Sequence, residues 1–197
     1  LAFTQEPPAS TVAGVNFASA VTVRDQYNNP VSGTPVAITT TNGTWLNGQL
    51  VITSASNGIA SFTPISITLV GNYALSATVG AISATSTTFA ITPGAPNNLV
   101  FVAQPQSITA GNTMAPITVR LRDQFNNLVL QSGVAVSVTT TTQLNGTTTT
   151  NTDTSGIATF DDLFITTSGT YVLTATSVSL TPANSNNFNI TAAPANN

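Results

Sequence analysis

The sequence predicts an all-β protein made of two tandem β-sandwiches of about seven strands each. Three observations lead to this fold class: an internal repeat, apolar residues that alternate with a period of two, and turn residues at short, regular intervals. The chain has 197 residues, of which 41% are hydrophobic. Each half can therefore bury a core of its own.

The repeat is visible as matching segments that lie 98 residues apart. Leu1 and Phe3 return as Leu99 and Phe101. The longer matches are 24–29 with 122–127, 46–48 with 144–146, 58–62 with 156–160, and 71–77 with 169–175. A constant offset across so many segments indicates a duplication. It predicts one domain at 1–98 and a second at 99–197.

The two repeats end alike, with Asn97-Asn98 and Asn196-Asn197. We therefore expect the chain to be two links of a longer array, the alternative being a natural two-domain protein that stops at this point. Residues 93–98 are expected to form the linker. Pro93 and Pro96 restrict the backbone there and predict a semi-extended connection.

The strands are predicted from alternation and from the turn residues between them. Val134, Val136 and Val138 are the clearest row, since neighbouring residues in a strand face opposite sides of the sheet. The strands expected in the first repeat are 1–6, 16–25, 34–41, 49–54, 58–65, 72–79 and 85–92. Seven short antiparallel strands in about 100 residues are typical of an immunoglobulin-like sandwich.

Four residues are assigned structural roles within this sandwich. Gly58 and Gly156 end an Asn-Gly and a Ser-Gly turn, where the fifth strand of each repeat begins. Tyr73 and Tyr171 follow a glycine at the sixth strand, a pattern that fits a tyrosine corner. We expect each ring to pack under the corner while its hydroxyl satisfies a backbone group.

The order of these segments resembles bacterial immunoglobulin-like repeats of the invasin and intimin type, found in the stalks of large surface adhesins. Asp-Gln-Tyr-Asn-Asn-Pro-Val at 25–31, the glycine turn before 59–62 and the tyrosine segment at 71–77 carry the resemblance, which covers nearly all of both repeats. The family has Gly at the position of Asn28 and Asn126. The turn is expected to survive, because Asn tolerates left-handed backbone conformations.

The charge composition excludes several functions. The chain has no Lys, His or Cys, so Ser–His, Cys–His and Schiff-base chemistry are excluded and the chain is not expected to be an enzyme. Arg24, Arg120 and Arg122 are its only cationic side chains, too few to neutralise nucleic-acid phosphates. No apolar segment is long enough to span a membrane as a helix.

Four aspartates are candidate metal ligands. Asp25 and Asp123 end the second strand of each repeat, and Asp161-Asp162 is the only acidic pair. Calcium needs six to eight oxygens, several of them carboxylates, and the six acidic residues are scattered. We therefore favour no cofactor, with Asp25 and Asp123 accepting hydrogen bonds from their own turns and Asp161-Asp162 in a solvated loop. A Ca²⁺ ion at a repeat junction is the alternative.

Trp45 is the only Trp and lies in a loop. We expect it to pack on the end of the sandwich or at the junction between repeats. The alternative is an aromatic platform for a sugar or a protein partner. The second repeat has Gln143 in place of this Trp, so such a site would not recur along an array.

The function expected from these features and from the resemblance is that of a structural spacer in an extracellular bacterial adhesin or filament, on the cell surface or secreted. Its expected partners are neighbouring copies of the repeat. Self-association into fibres through edge strands is a further possibility. The alternative is a module that binds a cell-surface glycan or protein through polar loops and Trp45.

Overall fold

A computed structural model of the chain describes residues 1–195; the Asn-Asn end of the second repeat at 196–197 lies outside the described residues. Those residues form β-strands and connecting segments and contain no α-helix. The all-β prediction is therefore confirmed. Contacts divide the chain into two units, Leu1–Pro93 and Gly94–Asn197. Residues 94–98, placed in the linker from the sequence, thus belong to the second unit.

The first unit contains eleven short strands. They are β1 (Ala2–Gln5), β2 (Ser10–Val12), β3 (Phe17–Thr22), β4 (Pro35–Thr40), β5 (Asn47–Gly48), β6 (Val51–Thr53), β7 (Ile59–Ser66), β8 (Gly71–Tyr73), β9 (Leu75–Val79), β10 (Ile82–Thr85) and β11 (Phe89–Thr92). One layer has the order β1-β3-β7-β5, and the other contains the ladders β2-β11-β8 and β10-β9-β4-β6.

The second unit repeats this arrangement with ten strands. They are β12 (Asn98–Ala103), β13 (Ile108–Thr109), β14 (Ile117–Arg122), β15 (Ala135–Thr139), β16 (Thr149–Asn151), β17 (Ile157–Phe160), β18 (Gly169–Tyr171), β19 (Thr174–Thr176), β20 (Ala183–Asn184) and β21 (Phe188–Thr191). One layer is β12-β14-β17; the other contains β13-β21-β18 and β16-β15-β19-β20.

The strand at 72–79 is broken, contrary to the prediction of one continuous strand. Tyr73 pairs with Phe89, whereas Ser76 pairs with Thr85, so the register shifts by one residue between β8 and β9. The Ser86 hydroxyl lies at this bulge and accepts the backbone N–H of Leu75 at 2.8 Å. Breaks of this kind, together with the unpredicted β2 and β5, account for eleven strands where about seven were expected.

Each unit has its own hydrophobic core, filled by inward residues from both layers. In the first unit Val21 and Phe62 come from one layer, and Ile38, Leu75 and Ile91 come from the other. The equivalent core residues of the second unit are Val119, Phe160, Val138, Leu173 and Ile190. The duplication seen in the sequence is therefore a duplication of two complete cores.

Candidate functional site

The Asp25 turn follows β3 and is held together by its carboxylate. Asp25 Oδ1 accepts the backbone N–H groups of Tyr27 and Asn29, at 2.9 and 2.8 Å, and Oδ2 accepts Asn29 Nδ2. The turn also needs Asn28 at a φ of 71°, a left-handed conformation that Asn tolerates. The hydrogen bonds, led by that from the Asn29 side chain, lower the pKa of Asp25 below its ordinary value.

The Asp123 turn after β14 has the same internal bonds but a different environment. Asp123 is only 1% exposed, and its Oδ2 also accepts the backbone N–H of Gly94 at 3.0 Å. Burial opposes ionisation, but the bonds from Asn127, Gly94 and Phe125 outweigh it, and the pKa of Asp123 is lowered. Both aspartates thus accept backbone hydrogen bonds within their own turns.

Asp161 and Asp162 are exposed and follow the end of β17. Asp162 accepts the backbone N–H of Thr147 at 2.8 Å and its hydroxyl at 2.7 Å, and these bonds lower the pKa of Asp162. Asp162 therefore holds the neighbouring loop at Thr147, and no such bond is made by Asp161 among the described residues. Among residues 1–195, no three acidic, His or Cys side chains gather closely enough to hold a metal ion.

Tyr73 and Tyr171 are buried with their hydroxyls bonded to backbone. Tyr73 donates to the carbonyl of Leu69 at 2.8 Å and Tyr171 to that of Thr167 at 3.1 Å. This is the hydrogen bond that the glycine-tyrosine pattern predicts.

Gly58 and Gly156 have φ values of 76° and 69°. A Cβ at Gly58 would lie 2.6 Å from the carbonyl of Val23, and one at Gly156 would collide with the carbonyl of Val129. Both positions therefore require glycine for two reasons: the backbone is left-handed, and there is no room for a Cβ atom.

Trp45 does not pack on the core of the first unit, and the expectation that it covers the sandwich end is wrong. Its side chain is 80% exposed, while the adjacent Leu46 is 4% exposed and belongs to the core. Neighbouring residues face opposite ways here, so a buried Leu46 directs Trp45 outward. Trp45 borders a cleft of about 230 Å³, which is lined by Thr39, Thr40, Gly43, Thr44, Trp45, Leu46 and Leu50.

A cleft of about 240 Å³ lies at the same place in the second unit. It is bordered by Gln143, and Thr148 replaces Leu50. The first unit has two more residues between Thr40 and Leu46 than the second has between Thr140 and Leu144. Leu50 was not singled out from the sequence. Aligning the two repeats could have identified it, because an apolar Leu50 in the first repeat aligns with Thr148 in the second.

The linker prolines lie beside different units. Pro93 ends the first unit and Pro96 lies in the second, and both are half-buried.

In the part of the chain that the structure describes, no helix is both long and apolar enough to cross a lipid bilayer.

Solved structures are similar to this chain. The D00-D0 domain of intimin is 15% identical over 92% of this chain and 94% of its own, with a TM-score of 0.52. The adhesin InvE of Yersinia pseudotuberculosis is 22% identical over 96% of this chain, with a TM-score of 0.42. Invasin, described as a bacterial integrin-binding protein, is 25% identical over 98%, with a TM-score of 0.39.

The chain spans 57% of the InvE structure and 38% of the invasin structure. It also matches 23% of a β-glycosidase from Bacteroides vulgatus, at 14% identity and a TM-score of 0.43. No protein-family model and no curated protein matches the sequence. The similarity to the intimin domain pair is one of fold, and it confirms the expected immunoglobulin-like class.

Proposed function

We propose that the chain is a spacer module of an extracellular bacterial surface adhesin. The observation that carries the proposal is the presence of two equivalent sandwiches, each with a complete core, in one short chain. Units that fold on their own cores add length without depending on a partner. The intimin domain pair, which shares this fold, supports the assignment to a cell-surface protein.

In this role the chain needs no catalytic group, cofactor or metal. The absence of Lys, His and Cys from the sequence supports a non-catalytic role, because the usual nucleophile and base pairs cannot be assembled. The nearly neutral surface, with 5% charged residues, suits neighbours that must neither repel nor attract one another strongly.

Surface labelling of intact cells of the source organism tests the location. An antibody raised against the purified chain should label cells without permeabilisation, and external protease should remove the signal. Labelling that appears only after the cells are opened would contradict the proposal.

Pulling on the two ends of the purified chain tests the spacer role. It should give two separate unfolding events, since each unit has its own core.

A second candidate function is carbohydrate binding at the Trp45 cleft. An indole that is 80% exposed beside threonine hydroxyls and Leu50 can stack on the apolar face of a sugar ring. A glycan array with the purified chain tests this function. Binding that Trp45→Ala abolishes would support it, and Tyr27→Ala is the matched control, because Tyr27 is an equally exposed aromatic elsewhere on the same unit.

A further inference from the structure

The Asp25 and Asp123 turns have the same internal hydrogen bonds but differ in what covers them. Asp123 and Asn127 are 1% and 6% exposed, whereas Asp25 and Asn29 are exposed. The aromatic residue of the turn is also more exposed in the first unit: Tyr27 is 77% exposed and Phe125 is 39% exposed. Among residues 1–195, a segment therefore covers the second turn, and no equivalent segment covers the first.

The cover of the Asp123 turn is the segment 94–98. The backbone N–H of Gly94 donates to the Asp123 carboxylate at 3.0 Å, and that of Asn97 donates to the Arg122 carbonyl at 2.8 Å. On its other side the segment is anchored by Thr181, whose N–H donates to the Asn97 carbonyl at 2.8 Å. All three bonds use backbone groups of the segment, namely the N–H groups of Gly94 and Asn97 and the carbonyl of Asn97, so they depend on the path of the backbone.

The first unit presents the counterparts of these partners. Asp25 and Arg24 correspond to Asp123 and Arg122 by the repeat offset. Ile82 corresponds to Thr181, because the strand pairs Ala77–Ala84 and Ala175–Ala183 are equivalent. Ile82 is 61% exposed. Within the described residues, the Asp25 carboxylate accepts only from Tyr27 and Asn29, so the place that Gly94 takes on Asp123 is open.

We propose that the Asp25 turn docks a connecting segment of the same kind when one is joined ahead of Leu1. The occupant is an extended, uncharged peptide of the Pro93–Asn98 type, with a backbone N–H at the place of Gly94. Leu99 directly follows such a segment, and Leu1 is its repeat equivalent, so a residue ahead of Leu1 reaches the turn by the same path. The covered turn of the second unit is the pattern for this contact.

A six-residue extension tests the proposal. The segment Pro-Gly-Ala-Pro-Asn-Asn, copied from 93–98, is added ahead of Leu1 of the full chain. The matched control carries Pro in place of the Gly, which removes the donor N–H and also fixes φ at that position. Hydrogen exchange of the Asn29 and Tyr27 amides should slow about tenfold with the Gly extension relative to the Pro control. Equal exchange in the two extended chains would overturn the proposal.

Substituting Asp25 in both the extended and the unextended chain shows whether the extension acts through the Asp25 carboxylate or stabilises the first unit in some other way. Asp25→Asn should cost the Gly-extended chain more stability than it costs the unextended chain, because the carboxylate has then gained a partner. An equal cost in both chains would overturn the proposal even if the extension slows exchange by another route.

Sedimentation of the unextended chain distinguishes two possible occupants of the Asp25 turn: a covalently joined segment and the end of a second copy of the chain. A connecting segment that docks only when joined ahead of Leu1 leaves the unextended chain monomeric at all concentrations. Association that removal of 192–197 abolishes would mean that the end of another copy fills the Asp25 turn, and this result would overturn the assignment to a covalently joined segment.

Discussion

The Gly94 N–H and the Asp123 carboxylate are joined by a 3.0 Å hydrogen bond, and Asp123 is 1% exposed. The same aspartate therefore both closes its own turn and fastens the start of the second unit. Asp25, its repeat equivalent, closes its turn only. The chain thus contains a natural control for any change made at Asp123.

Asp123→Asn is expected to destabilise the second unit by roughly 1–3 kcal/mol, since an amide cannot accept all the buried donors that the carboxylate satisfies. Asp25→Asn should cost the first unit less, because water can replace the lost bonds at the exposed turn. Residue-resolved hydrogen exchange measures the two units separately in one sample. A larger cost at Asp25 would contradict the difference in burial.

Acid should weaken the second unit through Asp123. The pKa of Asp123 is lower in the folded unit than its ordinary value, so its contribution is present above about pH 4 and is lost as the pH falls through the folded pKa. Denaturant unfolding over a pH series should show this decline, and Asp123→Asn should flatten it. An equally steep decline in the variant would assign the acid sensitivity to other carboxylates.

Gly156→Ala is expected to destabilise the second unit by more than Gly133→Ala. The two glycines have similar φ values of 69° and 80°, so both substitutions incur the left-handed cost of roughly 1–2 kcal/mol. Only the Cβ at Gly156 also collides with a backbone carbonyl, whereas the space at Gly133 is open within 4 Å. Thermal unfolding of the two variants measures the difference, and equal losses would show that the Val129 carbonyl moves aside freely.

Trp45 fluorescence should behave as that of an indole in water. Because the side chain is 80% exposed and is the only Trp, we expect red-shifted emission and efficient quenching by a neutral quencher in the folded chain. Unfolding in denaturant should change the emission wavelength little. Blue-shifted emission that resists quenching would show that the indole is covered in solution.

Calcium is expected to leave the chain unaffected. The carboxylates of Asp25, Asp123 and Asp162 are each occupied by protein donors, and the chain has six acidic residues in all. Melting temperatures in calcium and in EDTA should therefore agree. A rise with calcium that EDTA reverses would reveal a site, and variants of the four candidate aspartates would then locate it.

The sequence was sufficient to predict the all-β class and the positions of most strands, because the repeat and the alternation report directly on which side chains face the core. It did not predict the short strand β2, since the three residues Ser10–Val12 contain one Val and show no alternation. The bulge at Ser86 was missed because a side-chain hydroxyl, rather than a turn residue, interrupts the ladder there.

Sequence reasoning at the candidate sites succeeded where the contacts are local and failed where they are not. The bonds of Asp25 and Asp123 to their own turns join residues two and four positions apart, so the local pattern reveals them. The burial of Asp123 depends on Gly94, which is 29 residues away. The exposure of Trp45 depends on which of two adjacent residues enters the core, and Leu46 takes that place.

The pairing between the second and the last strand of each unit has a consequence for resistance to force. β2 pairs with β11 in parallel through three residue pairs, and β13 pairs with β21 in parallel through two. Tension applied at the two ends of a unit pulls such strands past each other, so the ladder bonds are sheared together instead of being opened one at a time. The first unit, with the longer ladder, is the one we expect to yield at the higher force.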